Sequence, residues 1–291
     1  MTRDSSDARV SAATEVKIGI SSWTDLPGFY PEGIKANARL GWYARSFDVV
    51  EINTSFYRIV APHVYQRWLS QTPASLTFDI KAFRELTHER HESTHNVFQD
   101  FRNSLDPLRA DRRLGAILFQ FPPGFVNSQA NRAYVAALSN LMPGDRLAVE
   151  FRHASWLDDE HRNQTIELLR DRETALAVID EPSLPPRTIP LVPVATSGEI
   201  AYVRLHGRNA QGWSGDREQR YAYDYSQSEL EAMADIVRRL GRESREVHVL
   251  FNNNSTGAGT VNAQQLAKIL GVAPSTTLEE PLRQATLLDV F

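Results

Sequence analysis

Short runs of aliphatic and β-branched residues recur along the chain, each followed by a longer stretch of mixed polarity. The runs are VKIGI (16–20), VVEIN (49–53), LTFDIKA (76–82), GAILFQF (115–121), LAVEFR (147–152), ALAVID (175–180), AYVRLH (201–206) and VHVLFN (247–252). Continuous apolar runs of this length suit parallel strands covered on both faces. Between them the period changes. SQSELEAMADIVRRL opens with a capping-box spacing, Ser226 to Glu229, and places Leu230, Met233, Val237 and Leu240 on one helical face. NRAYVAALSNL and DDEHRNQTIELLRD read as helices too, the second with acidic residues where the dipole favours them, in the first turn.

Eight strand-then-helix units in about 270 residues match the size of a closed (β/α)8 TIM barrel, of class α/β. An open doubly wound sheet is the competitor, but the glycine-rich turn expected after its first strand is replaced by SSWTDLPGFYP. The proline-rich stretch 180–198 falls between strands six and seven and reads as a long loop. The expectation is one barrel domain over 16–291 behind a disordered tail, 1–15.

Polar residues break the apolar runs near their ends. Counting back every second residue from each strand end brings Glu51, Asn53, Asp79, Lys81, Gln120, Glu150, Arg152, Asp180, Arg204, His206 and Asn252 toward the C-terminal mouth. Active sites of such barrels lie there. Glu150 and Arg152 would be neighbours on one inner wall, paired because desolvating either charge alone is costly. An interior ion network that only fills the barrel is the competing reading. The loops add aromatics, of which Trp23 and Trp156 follow their strands most closely and are the expected ligand contacts. The last loop, NNNSTGAGTVNAQQL, contains Asn253 and runs into a helix near Val261. With Arg204, His206 and Arg208 nearby, it reads as a phosphate-binding loop of the kind barrels place after strands seven and eight.

Composition narrows the chemistry. The 291 residues are 42% hydrophobic and 23% charged, as in an ordinary globular protein. With 32 basic against 36 acidic residues the net charge is −4, which argues against a general nucleic-acid coat. The absence of cysteine excludes disulfides, thiolate metal sites and a cysteine nucleophile. The polar first fifteen residues lack the core of a signal peptide, and no run is long enough to span a membrane, so a cytoplasmic protein is expected.

GISSW, FYP, VEINTSFYR, FDIKAFRELTH, LGAILFQFPPGF, AVEFRHASW, YVRLHGR and FNNNSTGAGTVNA together resemble the successive signatures of the YecE-like TIM-barrel proteins, a domain-of-unknown-function family. The resemblance covers roughly 16–270 and implies the barrel, but no reaction. One departure stands at the first strand: the family's opening Gly-Thr-Ser-Gly-Trp has Ile20 and Ser22 in place of its threonine and second glycine.

The favoured reading is an enzyme for an anionic ligand, a phosphorylated sugar or a nucleic-acid backbone. Glu51, Glu150 and His206 would supply acid–base chemistry. Trp23, Asn53, Lys81, Gln120, Arg152, Trp156, Asp180, Arg204, Asn252 and Asn253 would bind the ligand. No cofactor is required. A second reading takes Glu150, Asp180 and His206 as ligands of a divalent metal, resembling the order in xylose-isomerase-like epimerases and endonucleases. A third rests on HESTH (91–95), a formal match to H-E-x-x-H. His88, nearer strand three, is better placed to reach the mouth. A non-catalytic binding barrel is the contrasting class.

Overall fold

Eight parallel strands close on themselves in chain order: β1 (Glu15–Ile20), β2 (Val49–Ile52), β3 (Thr77–Lys81), β4 (Leu114–Gln120), β5 (Arg146–Glu150), β6 (Ala175–Asp180), β7 (Ile200–Leu205) and β8 (Glu246–Phe251). β8 pairs with β1 over Glu15↔Glu246 to Ile20↔Phe251, and this pairing makes the sheet a barrel. The computed structural model describes residues 14–90, 94–185, 188–214 and 217–272. The tail expected over 1–15 lies almost wholly outside these residues, as do His91 to Ser93 of the HESTH match.

Helices between strands are α1 (Arg39–Tyr43), α2 (Pro62–Ser70), α3 (Thr94–Ser104), α4 (Asp106–Ala110), α5 (Gln129–Leu141), α6 (Arg162–Arg170), α7 (Arg217–Arg220) and α8 (Gln227–Leu240), with α9 (Ala258–Leu270) after β8. The capping box of α8 forms as its spacing predicts, and Leu230, Met233, Val237 and Leu240 are all buried. α6 differs from expectation. It begins at Arg162, so Asp158, Asp159 and Glu160 precede it, and Asp158 instead accepts the His161 backbone N–H at 2.9 Å. Between β6 and β7 the described residues hold no helix. Pro182, Pro185, Pro190 and Pro193 remove backbone donors that a helix would need.

Register sets which side chains enter the barrel. Parallel partners face the same way, so the pairs Val50↔Phe78, Ile80↔Ile117, Phe119↔Val149 and Val178↔Val203 form the outer apolar layer. These residues are almost fully buried beneath the helices. Each such side chain contributes roughly 1.5–3 kcal/mol by leaving water. The inward set is far more polar.

A bulge in β4 makes room for one inward carboxylate. Pairing with β3 shifts between Phe78↔Leu114 and Ile80↔Ile117, and Ala116 N–H donates to Asp79 Oδ1 at 2.7 Å. Only glycine fits at 115, because an added Cβ would lie 2.0 Å from that oxygen. The first loop shows the backbone consequence of the departure noted above. Ser22 sits at φ 150°, in a region that glycine enters far more readily. Its Oγ accepts the Thr24 backbone N–H at 3.2 Å and meets Thr24 Oγ1 at 3.0 Å, local bonds that help hold the strained turn.

Candidate functional site

The inner wall carries two polar tiers. In the lower tier the His248 ring lies between two carboxylates, with Nδ1 2.9 Å from Asp79 Oδ2 and Nε2 3.1 Å from Glu246 Oε2. Burial alone would lower the His248 pKa, but Asp79 and Glu246 outweigh it and raise it. Arg146 and Lys17 in turn hold Glu246. The ionisable side chains of this tier are thus paired with one another.

The upper tier is built around Arg204. Its Nε and Nη2 donate to the two oxygens of Glu51 at 2.9 and 2.7 Å, a bidentate fork, and Nη1 donates to Glu150. Tyr202 O–H donates to Glu51 Oε2 at 2.9 Å. Arg152 also meets Glu150 through Nε, as the one-repeat spacing predicts, and its Nη1 donates to Glu181 Oε2 at 2.9 Å. Burial would raise the Glu150 carboxyl, but the two guanidiniums hold it well below the usual carboxylate range.

His206 is locked in this tier. Arg152 Nη2 lies 2.9 Å from Nε2, and a guanidinium can only donate, so Nε2 carries the lone pair. Asn252 Nδ2 lies 3.0 Å from Nδ1; two donors cannot meet there, so with the proton on Nδ1 the Asn252 amide is assigned in the flipped orientation, its oxygen accepting. Burial, and then the Arg152 charge, push the His206 pKa down to about 3. The ring is neutral and both its nitrogens are engaged.

Above this tier stands a half-buried rim made of Asn53, Lys81, Gln120, Arg152, Glu181 and Asn252. Lys81 Nζ donates to Gln120 Oε1 at 2.9 Å and stands 4.5 Å over the Phe56 ring. Asn53 Nδ2 donates to Ser21 O at 2.8 Å. Ser21 Oγ is buried with no hydrogen-bond partner. Among the described residues no carboxylate oxygen lies within ion-pair distance of Lys81 Nζ. Burial, and then the Arg204 charge, lower its pKa to about 8.

Several expected site residues lie elsewhere. Asp180 pairs in register with Leu205, not with inward Arg204, and so faces outward. There it accepts from Arg208 Nη2 at 2.7 Å and Tyr225 O–H at 2.5 Å. Glu181, one residue on, takes the inward place. With Asp180 turned away, Glu150 between two guanidiniums and His206 Nε2 on Arg152, the trio Glu150, Asp180 and His206 does not form a metal-ligand set. Among the described residues no cluster of three such side chains does.

Trp156 is fully buried, donates Nε1–H to Phe125 O at 2.7 Å and stacks between Phe125 and Phe151. Trp23 packs edge-on to Trp68 at 5.0 Å and is nearly buried. Both pack against other rings and anchor their loops. Asn253 is buried outside the barrel, donating to Tyr223 O and Asn262 Oδ1 at 2.8 and 3.0 Å.

In the last loop, expected to bind phosphate, the nearby groups are engaged within the chain. Arg208 is held by Asp180 and Glu229. α9 begins at Ala258, three residues earlier than expected. A Cβ at Gly259 would lie 2.2 Å from Asn254 Oδ1, so the chain's own amide oxygen lies against the first turn. A hollow of about 270 Å³ opens in the loop after β1, lined by Asp25, Leu26, Tyr30, Ile34 and Arg39 among others. Its one arginine is engaged with Thr24 O, and the titratable cluster stands in the barrel mouth instead.

Against known proteins, residues 17–286 match the family described as protein of unknown function DUF72. The chain belongs to this family. It is 34% identical over 268 residues to the UPF0759 protein YunF of Bacillus subtilis, covering 88% of this chain and 95% of that one. The UPF0759 protein YecE of Escherichia coli is 28% identical over 155 residues, about half of each chain. Among solved structures, a DUF72 family protein of Thermotoga maritima superposes with TM-score 0.80 at 34% identity, over 88% of this chain and 99% of that one. One from Enterococcus faecalis superposes with TM-score 0.82 at 26% identity, over 89% and 96%. The fold described above is thus shared with both of these DUF72 family proteins. No helix among the described residues is long and apolar enough to cross a membrane.

Proposed function

We propose that the protein is a cytoplasmic enzyme acting on a small polar ligand at the C-terminal mouth of the barrel, with the Lys81 ammonium receiving the ligand's single negative charge. One contrast carries this reading. Arg152 and Arg204 are held by carboxylates, whereas Lys81 Nζ has only an amide oxygen and a ring face. The arginines therefore build the floor and Lys81 meets the ligand. Gln120, Asn53, Asn252 and the unpartnered Ser21 Oγ would orient its hydroxyls. Glu51, Glu150 and His206, proposed from sequence as the acid–base set, are buried and engaged, and on this reading they position the rim.

Charge count limits ligand size. Glu51, Glu150 and Glu181 balance Lys81, Arg152 and Arg204, so the mouth offers a polyanion such as a nucleic-acid backbone little net attraction. A thermal-shift screen of inorganic phosphate, sugar phosphates, short keto acids and oligonucleotides tests this. A small monoanion should stabilise the fold by roughly 3 kcal/mol at a hundredfold excess over its Kd, with an effect that weakens in salt. Lys81→Gln should lose that shift while keeping its unliganded melting point near wild type. A stabilisation seen only with oligonucleotides, or kept in Lys81→Gln, would overturn the assignment.

A further inference from the structure

Lysine is scarce in this chain. There are 28 arginines and four lysines, Lys17, Lys35, Lys81 and Lys268. Arginine binds anions at least as well as lysine but never deprotonates in a protein, whereas a buried lysine can act as a neutral amine. Lys17 contacts carboxylates of Glu15 and Glu246, and Lys35 and Lys268 are exposed. Only Lys81 ends a barrel strand at the mouth.

The surroundings of Nζ suit a nucleophile. Its hydrogen-bond acceptor is the neutral Gln120 amide, which holds the nitrogen in place without stabilising its charge as a carboxylate would. Facing groups from the other strands are Glu51 on β2, Glu150 and Arg152 around β5, and Arg204 on β7, with opposing effects on the ammonium. Ser55 Oγ, bonded to both Ile52 O and Lys81 O at 2.7 Å, fixes the backbone from which the side chain springs. Phe56 forms an apolar platform under Nζ, and the His88 ring packs edge-on to that platform at 4.9 Å.

We propose that Lys81 Nζ forms an imine with a carbonyl carbon of the substrate, a small aldehyde or ketone that also carries an anionic group. This rests on the mouth being the ligand site. Nζ first gives up one proton to water. The amine lone pair forms a C–N bond to the carbonyl carbon while the C=O π pair moves to oxygen, which takes up a proton. The attacking nitrogen supplies that proton and a second to the hydroxyl, which leaves as water while the nitrogen lone pair closes the C=N bond, so amine plus carbonyl yields imine plus water with no oxidant or reductant.

Reductive trapping tests the step. Intact protein is incubated with glyoxylate and cyanoborohydride across pH 6 to 11, and each lysine is followed by peptide mass mapping. With a pKa of about 8, roughly a tenth of Lys81 is neutral at pH 7, against well under a thousandth of an ordinary lysine. Lys81 should label at least about tenfold faster than Lys35 or Lys268, with a rate midpoint near 8, even though it is the less exposed residue. The wild-type map needs no variant. Lys81→Arg supplies the separation: it should keep stabilisation by small anions and lose trapping. If anions stabilise the wild type while Lys81 labels no faster than Lys35, the imine fails and the ligand site stands. If neither occurs, both fail.

Discussion

Arg204→Ala should destabilise the protein by roughly 3–5 kcal/mol, the range for removing one member of a buried ion pair. Three donors of this one side chain serve two carboxylates, Glu51 and Glu150, neither of them exposed to solvent. Truncation leaves Glu51 with only the Tyr202 hydroxyl and Glu150 with only Arg152. The loss is due to uncompensated charge in a site water cannot easily reach, far more than to lost contacts. Adding Glu51→Gln to Arg204→Ala should therefore recover part of the stability, because it removes one stranded charge. Urea unfolding with an unchanged m-value is the measurement. A loss below about 1 kcal/mol would show that the tier does not hold the barrel together.

Acid should weaken the fold before the depressed carboxylates Glu150 and Glu246 titrate, although Glu181, raised by burial, tilts the other way. His206 is held at a pKa of about 3 in the folded state, against about 6.5 when unfolded. The unfolded chain binds the extra proton, so this contribution is complete above pH 6.5 and is lost as pH falls toward 3. By pH 4.5 the loss is about 2–3 kcal/mol, two pH units at 1.36 kcal/mol each. His88, lowered by burial and then by Lys81, adds a term of the same sign. His248 tilts the other way: its raised pKa gives stability that is full below 6.5 and fades as pH rises through the folded value. Glu150 and Glu246, both depressed, join only below their unfolded values near 4.5. Urea melts at pH 7, 5.5 and 4.5 should therefore show a limb that His206→Asn flattens. The asparagine oxygen still accepts from Arg152 but takes up no proton. An unchanged limb in that variant would place the acid sensitivity elsewhere.

The strands were legible because apolar runs of five to seven residues, bounded by turn-rich segments, leave few alternatives. Alternation then placed Glu51, Lys81, Gln120, Arg152, Arg204, His206 and Asn252 on the inner wall correctly. It failed at β6 because the apolar run ALAVID stops at Asp180, while its parity is set by pairing across the barrel, Ile179 opposite Arg204. That information is non-local, and it exchanges Asp180 for Glu181. Asn253 differs: it follows an inward Asn252 beyond the end of β8 and is buried on the outer side against Tyr223 and Asn262. Trp23 and Trp156 show a different limit. An aromatic just beyond a strand can meet a ligand or bury itself, and each buries itself against other rings. Charge pairing was legible only in part. The Glu150–Arg152 spacing announces its own contact, but the bidentate Arg204–Glu51 fork joins residues 153 apart in sequence.

The central claim is that Lys81 is the mouth's one cation with no carboxylate in contact among the described residues, and that it receives an anion. NMR titration of the lysine Nζ signals measures it directly, and only four lysines contribute. Lys81 should titrate near pH 8 in the unliganded protein and move upward when phosphate or acetate is added, because a bound anion favours the ammonium. A Lys81 midpoint near 10.5, unmoved by either anion, would contradict the account.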